Sequence, residues 1–401
     1  LNEHGVTMDP NGVSFRVAKD DLSAALSWVA RSLASKPTQP ILRGVMMTAD
    51  DDGLLLAGFD YEVSTRVRIS AEVLEPGQVL VAGKLANDII GSLPHKDVAI
   101  SVDGTKVHVT CGQSNFELPA MTIEDYPELP SLPEETGHID PHLFTAAIGQ
   151  VASAAGKDDS MPMLTGIKME VKGDNVVLAA TDRFRLAVRE FTWEPSSPDV
   201  DAEILIPART LADSARTLDT RLNDPIQLAM GAAQDVGKDG LLGIVSENRQ
   251  TTTRLIDADF PKFRPLLPKS HSSMAIVEIA PLLDAIRRVS LVAERNAQVK
   301  LEFSEDQLVL SAGGSEAGTA EETLPAQFAG EPLLIAFNAN YLKEGLASID
   351  TKNVVFGFTQ PSRPAILIPE PETMPEQDSD GQFPTPSTYF TYLLMPVRLP
   401  G

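Results

Sequence analysis

Cysteine is almost missing from this chain: Cys111 stands alone among 401 residues. A single thiol closes no intramolecular disulfide and builds no multi-cysteine zinc site, so it reads as a small buried apolar residue. Long apolar runs are missing too. None approaches the roughly 18 to 20 residues that a membrane helix needs, and the opening LNEHGVTMDPNG is polar and turn-rich, unlike a cationic start followed by an apolar stretch. A cytoplasmic, soluble protein is expected. Positive charge is scarce: 33 Lys and Arg face 56 Asp and Glu, for a net charge of −23. That balance speaks against nucleic acid unless the cations are gathered on one face, because phosphate binding depends on lysine and arginine displacing counterions.

Signatures of chemistry are equally thin. Gly231 to Asp239, GAAQDVGKD, has a superficial likeness to a phosphate-binding loop, but Ala232 stands where a glycine is needed and Asp239 where a hydroxyl is needed. His138 and His142 are four apart, yet Pro141 lies between them and no glutamate of the HExxH type accompanies them. His4, His95, His108 and His271 are scattered, with no visible serine or cysteine nucleophile arrangement. The doublets Asp20-Asp21, Asp51-Asp52 and Asp158-Asp159 could hold a hard cation, but at turns and helix starts such pairs more often cap and solvate. No catalytic residue, metal or cofactor is expected.

What is present is a repeat. Leu22, Ala25, Leu26, Val29 and Leu33 lie at offsets 0, 3, 4, 7 and 11, the stripe of an amphipathic helix. Phe144, Ala147, Ile148, Val151 and Ala155 repeat those offsets, and so do Leu282, Ala285, Ile286, Val289 and Ala293. Each stripe is followed by a short apolar run, at 54–60, 176–182 and 308–314, that reads as a strand entering a turn. A second helix then enters through VAGKLANDIIGSL, IPARTLADSARTL and FNANYLKEGLASI. Proline-punctuated exits after the first two copies read as linkers. The resulting expectation is an α+β chain of three tandem similar domains, 8–135, 136–270 and 271–401, each a β-sheet layer with two helices. An acidic, proline-rich insert at 369–388 reads as a solvated or disordered loop.

With the repeats laid out, the chain resembles the bacterial DNA polymerase III beta subunits, the sliding clamps, over essentially its whole length. The motifs that carry the resemblance are KPTQPILRG at 36–44, LAATDRFRLAVRE at 178–190, LIDADFPKFRPLLP at 255–268, FNANYL at 337–342 and the terminal YLLMPVRLPG. MLTGIKME, VGKDGLLGI and FGFTQPSRPA are most similar to actinobacterial members.

The resemblance implies the DNA clamp fold, with one chain forming half of a ring. It implies a non-enzymatic processivity factor of the replicative polymerase that encircles duplex DNA without reading sequence. Its partners would be double-stranded DNA, a second copy in a head-to-tail homodimer, and polymerase III alpha subunit, clamp loader, other polymerases and repair proteins bound through short linear motifs. Lys36, Lys84, Arg209, Arg287, Arg288 and Lys343 are the DNA-binding candidates, and Phe116 and Leu118 match dimer-interface positions.

The peptide cleft of the family, between the second and third domains, maps first to Leu164, Thr181, Arg183, Phe184, Arg185 and Leu186. It continues through Pro261, Pro265, Leu266, Asn338, Tyr341, Ser362 and Pro364, and closes with Leu393, Met395, Pro396, Val397, Arg398 and Leu399. A proline that ends strand pairing beside adaptable methionine suits a surface shared by many partners. Arg183 and Phe184 stand where glycine and histidine are common in the family, and Pro265 where arginine is common. Two rivals of other classes are a metal-dependent phosphoesterase and a sequence-reading DNA-binding regulator.

Overall fold

The computed structural model describes residues 12–218, 221, 223–294 and 297–399. The expected start of the first domain, at residue 8, and His4 lie outside them. Among the described residues there are six helices: α1 (Lys19–Arg31), α2 (Gly83–Ser92), α3 (Pro141–Ala152), α4 (Ala208–Arg216), α5 (Ile279–Val289) and α6 (Ala339–Ala347).

The repeat is visible in how these helices form. In α1, α3 and α5 the first four positions of the apolar stripe are all buried. The fifth falls just beyond the last helical residue in every copy. The second helix of each copy follows a strand without a loop: Gly77–Ala82 runs into α2, Asp201–Pro207 into α4, and Leu333–Asn338 into α6. The segments read as helix entries are therefore strand ends. α6 carries a side-chain cap, Asn338, whose amide oxygen accepts from the N–H groups of Asn340 and Tyr341 at 2.9 and 3.1 Å.

The predicted strands appear as Gly53–Phe59, Asn175–Thr181 and Gln307–Gly314. They belong to sheets that cross the repeats. One sheet runs Glu194–Pro195, Glu135–Ile139, Ile226–Ala229, Leu241–Ser246, Arg249–Arg254, Val63–Ile69, Gly53–Phe59, Gly44–Asp50, Gly77–Ala82, and Thr251 opposite Thr65 joins second-repeat strands to first-repeat strands. Another runs Asp201–Pro207, Gly166–Lys172, Asn175–Thr181, Arg185–Thr192, Phe390–Leu394, Ala365–Pro369, Asn353–Phe358, Ser273–Glu278, Gln327–Ala329. There Val188 opposite Thr391 joins the second repeat to the third.

This sharing leaves the chain in two compact units, Leu1–Pro141 with Pro195–Ser197 and Arg216–Leu255, and His142–Glu194 with Pro198–Ala215 and Ile256–Gly401. The middle repeat contributes to both. In the first unit a single core collects α1, α2, the long sheet and a five-stranded sheet: Leu22, Leu26, Ile90, Leu54, Met47, Phe15 and Val109 belong to it.

The acidic insert differs from its expectation. Its acidic stretch is exposed, but Phe383 is buried, and Phe383–Pro384 pairs as a short strand with Ser270–His271. One apolar anchor among carboxylates suffices to order the return path.

A candidate peptide-binding surface and candidate DNA-facing helices

The turn between strands Asn175–Thr181 and Arg185–Thr192 builds the centre of the site. The Asp182 carboxylate accepts the N–H groups of Phe184 and Arg185 at 3.0 and 3.1 Å. Thr181 Oγ1 donates to the Arg185 carbonyl at 2.7 Å and accepts the Arg183 N–H at 3.2 Å. Arg183 sits at φ +79°, a left-handed conformation that a side chain adopts only when its surroundings enforce it. The two bonds from Asp182 supply that enforcement. The outcome is asymmetric: Arg183 and Phe184 point to solvent, while Arg185 is buried.

Arg185 is held from every side. Its Nε donates to Asp182 Oδ2 at 3.1 Å, its terminal nitrogen pairs with Glu344 on α6 and reaches Tyr392 Oη at 3.3 Å, and its plane lies 4.4 Å from the Tyr341 ring centre. Burial opposes the charge, but Tyr392 and Glu344 outweigh it and hold the guanidinium firmly protonated. Burial likewise pushes the Tyr392 hydroxyl well above its ordinary range. Phe184 stacks on the other neighbour of this arginine, Tyr341, at 6.2 Å between ring centres and 22° between planes.

The last strand closes the site. The Met395 N–H donates to the Phe184 carbonyl at 2.9 Å and the Val397 N–H to the Ala336 carbonyl at 2.8 Å, with Pro396 between them offering no donor. Three large apolar side chains are left in solvent: Phe184 is 54% exposed, Met395 41% and Leu266 58%. Leu164, Leu186 and Leu393 are buried. Pro261 and Pro265 are exposed on the segment that carries Leu266, and Arg264 anchors that segment to Glu170 at 3.0 Å. Ser362 and Arg398 are exposed; Pro364, Val397 and Leu399 are half-buried. Thr181, Arg183, Phe184, Arg185, Asn338, Tyr341 and Met395 are thus tied together by direct bonds and ring contacts, Leu186 pairs with Leu393 across neighbouring strands, Val397 is bonded to Ala336, and the remaining sequence candidates belong to the same unit. Sequence reasoning missed Asp182, Glu344 and Tyr392. The Asp182 spacing to Arg185 was a legible turn signal; the other two partners come from distant sequence.

The cation candidates divide into two kinds. Lys84 and Arg209 are exposed and occupy the second position of α2 and α4, the place Asn340 takes in α6. A cation at a helix N-terminus opposes the helix dipole, so folding alone does not favour it there. Lys36 is exposed in the loop after α1, and Lys343 is half-buried on α6. Arg287 and Arg288 are exposed but engaged: Arg287 pairs with Asp284 at 3.1 Å, and Arg288 with Glu322 at 2.8 Å. Phe116 and Leu118 share one face of Ser114–Pro119, an edge strand of the five-stranded sheet. Leu118 is absorbed into the core of its own unit at 8% exposure, while Phe116 stays 38% exposed.

The acidic doublets serve turns and helix starts. Asp20 and Asp21 lie in the first turn of α1, and Asp158 accepts the Ser160 N–H at 2.9 Å. Shared sheets, paired helices and an open apolar surface beside a buried arginine define the class: a protein built of repeats that offers a binding surface.

Family models for the DNA polymerase III beta subunit match the chain throughout: the N-terminal domain at residues 13–130, the central domain at 138–262 and the C-terminal domain at 264–379. The beta sliding clamp of Streptomyces coelicolor is 43% identical over 97% of this chain and 100% of its own length. The beta sliding clamp homolog GriR of Streptomyces muensis is 40% identical over 96% and 99%. Among solved structures, the Bacillus subtilis sliding clamp aligns with a TM-score of 0.86 at 25% identity, covering 96% of this chain and 99% of its own. The Pseudomonas aeruginosa clamp bound to griselimycin aligns with a TM-score of 0.84 at 24% identity, covering 97% and 100%. The chain belongs to the DNA polymerase III beta subunit family. It has the clamp fold, and its function is that of a sliding clamp, a non-catalytic processivity factor in DNA replication that binds DNA and polymerase.

Proposed function

We propose that two copies of the chain close head to tail into a ring around duplex DNA in the cytoplasm. Three domains, with boundaries near 135 and 270, contribute from each copy, and short linear motifs of the polymerase III alpha subunit, clamp loader, other polymerases and repair proteins dock on the surface around Arg185. The observation that carries the peptide site is the apolar set Phe184, Leu266 and Met395, left in solvent although the buried scaffold of the same unit lies beneath. Large exposed side chains on an ordered scaffold offer apolar contact without an ordering cost in the receptor. That the Pseudomonas aeruginosa clamp carries griselimycin supports the reading.

Closure draws on sheet edges. Ser114–Pro119 ends the five-stranded sheet of the first unit, and Gly318–Pro325 ends a four-stranded sheet of the second, beside Leu291, which is 85% exposed. Unpaired edges with adjoining apolar side chains are templates for strand addition. On the inner side Lys36, Lys84, Arg209 and Lys343 would meet backbone phosphate without base contacts, so binding does not prevent sliding. Arg287 and Arg288 would contribute less, because each already has a carboxylate.

Retention on nicked circular DNA after loading, measured by gel filtration before and after linearisation, tests the ring. Loss only upon cutting establishes encirclement; retention indifferent to cutting refutes it.

A further inference from the structure

The insert at 369–388 leaves the sheet at the end of Ala365–Pro369 and returns to it at Phe390–Leu394. At its tip the Asp378 carboxylate accepts the N–H groups of Asp380 and Gln382, each at 2.9 Å, a self-contained turn that stands in solvent. Its return path is different in character. Phe383 enters the apolar cluster that contains Phe263, Leu186, Leu393 and Ile366, with Met374 packed against the same cluster. Two of these, Leu186 and Leu393, are cleft candidates, and Phe263 lies between the cleft candidates Pro261 and Pro265 on one segment.

Thr385 fastens that same segment a few residues further on. Its N–H donates to the Lys269 carbonyl at 2.9 Å and its hydroxyl to the Pro268 carbonyl at 2.7 Å. The hydroxyl has one hydrogen, which the Pro268 carbonyl takes, so at 2.8 Å from His271 Nε2 it must accept. His271 therefore carries a hydrogen on Nε2, burial favours the neutral ring, and its other ring nitrogen, Nδ1, is buried with no hydrogen-bond partner among the described residues. The segment from Pro261 to His271 is thus held by Arg264 to Glu170 on one side and by the returning insert on the other.

We propose that the insert is a strap that fixes the Pro261–Pro268 wall of the peptide-binding surface, with Phe383 and Thr385 as positioning residues. This rests on the peptide-site reading above. A wall held in its binding geometry loses less freedom when a peptide docks, so the strap acts on affinity without touching the ligand. The acidic tip has no part in this; the apolar anchor and the threonine do.

The test uses the full chain and griselimycin as the probe, titrated calorimetrically well below the unfolding temperature. Phe383→Ala and Thr385→Val each weaken binding, Phe383→Ala by about tenfold, through faster dissociation. Amide exchange at 261–268 accelerates in both, and Phe383→Leu restores affinity. The charge-removed triple variant Glu372→Gln, Glu376→Gln, Asp380→Asn binds as the parent does. Met395→Ala serves as the control for the surface itself. If Met395→Ala weakens binding while Phe383→Ala and Thr385→Val do not, the strap is refuted and the surface stands. Unchanged binding in Met395→Ala refutes the surface, and the strap with it. Weakening by the triple variant alone also overturns the strap, in favour of charge. Should Phe383→Ala fail to fold, Thr385→Val carries the same decision.

Discussion

Tyr392 Oη accepts a hydrogen bond from Arg185 at 3.3 Å and donates its own hydrogen to the Tyr341 carbonyl at 2.8 Å. One hydroxyl on the last strand thus ties the buried arginine of the central repeat to α6 of the third. Tyr392→Phe removes both bonds at unchanged shape and leaves the Tyr341 carbonyl short of its donor. A loss of about 1 to 2 kcal/mol is expected in urea unfolding. Arg185→Met, which strands the half-buried Asp182 and exposed Glu344 carboxylates, costs about 3 kcal/mol. A smaller loss for Arg185→Met than for Tyr392→Phe would contradict this ordering.

Gly345 lies on α6 where a methyl group would run into the Tyr392 ring. That ring is fully buried and held by two hydrogen bonds, so it cannot give way. Alanine gains about 1 kcal/mol in helix propensity, but overpacking costs about 1 to 3 kcal/mol. Gly345→Ala is therefore expected to lower the thermal midpoint despite the better helix former, and an increase would show that the ring can move.

His271 is held neutral by burial, with its titration pushed down to about 4 from the ordinary 6.5. Below pH 6.5 the unfolded chain takes up a proton that the folded chain refuses, so this contribution to stability is complete above 6.5 and is lost as pH falls toward 4. The gap corresponds to about 3 kcal/mol. Urea unfolding of the parent and of His271→Gln between pH 7 and 4 should show the parent losing about that much more; parallel curves would remove His271 from the acid response.

Lys84 and Arg209 are exposed cations at helix starts, whereas Arg288 is already paired with Glu322. Lys84→Ala and Arg209→Ala should each flatten the salt dependence of duplex binding by about one unit of slope for each phosphate that is no longer neutralised. Arg288→Ala should change it less, and Glu322→Gln, which releases Arg288, should steepen it. Equal effects of all three alanine variants would show that the ion pair opens on DNA.

The repeat, its helices and the position of its strands were legible in the sequence because they follow from local periodicities. Four buried positions at offsets 0, 3, 4 and 7 make a helix face in any context, and Leu22, Phe144 and Leu282 each begin one. The family motifs pointed to the surface proposed for peptide binding by the same local means. What only the tertiary structure decided is which distant partners those local elements meet. The pairing of Thr251 with Thr65 and of Val188 with Thr391 fuses tandem domains into shared sheets, since an edge strand accepts any strand of suitable register and sequence does not name it. In Asp182-Arg183-Phe184-Arg185 the two arginines look alike; the positive φ of Arg183 and the remote Glu344 and Tyr392 turn one outward and bury the other. The insert reads as acidic and proline-rich with few apolar residues, yet a cluster assembled from six strands and the Phe263 segment receives Phe383, and that packing orders it. Periodicity is a property of neighbours along the chain, whereas burial of a charge or of a lone aromatic depends on groups brought together only when the chain folds.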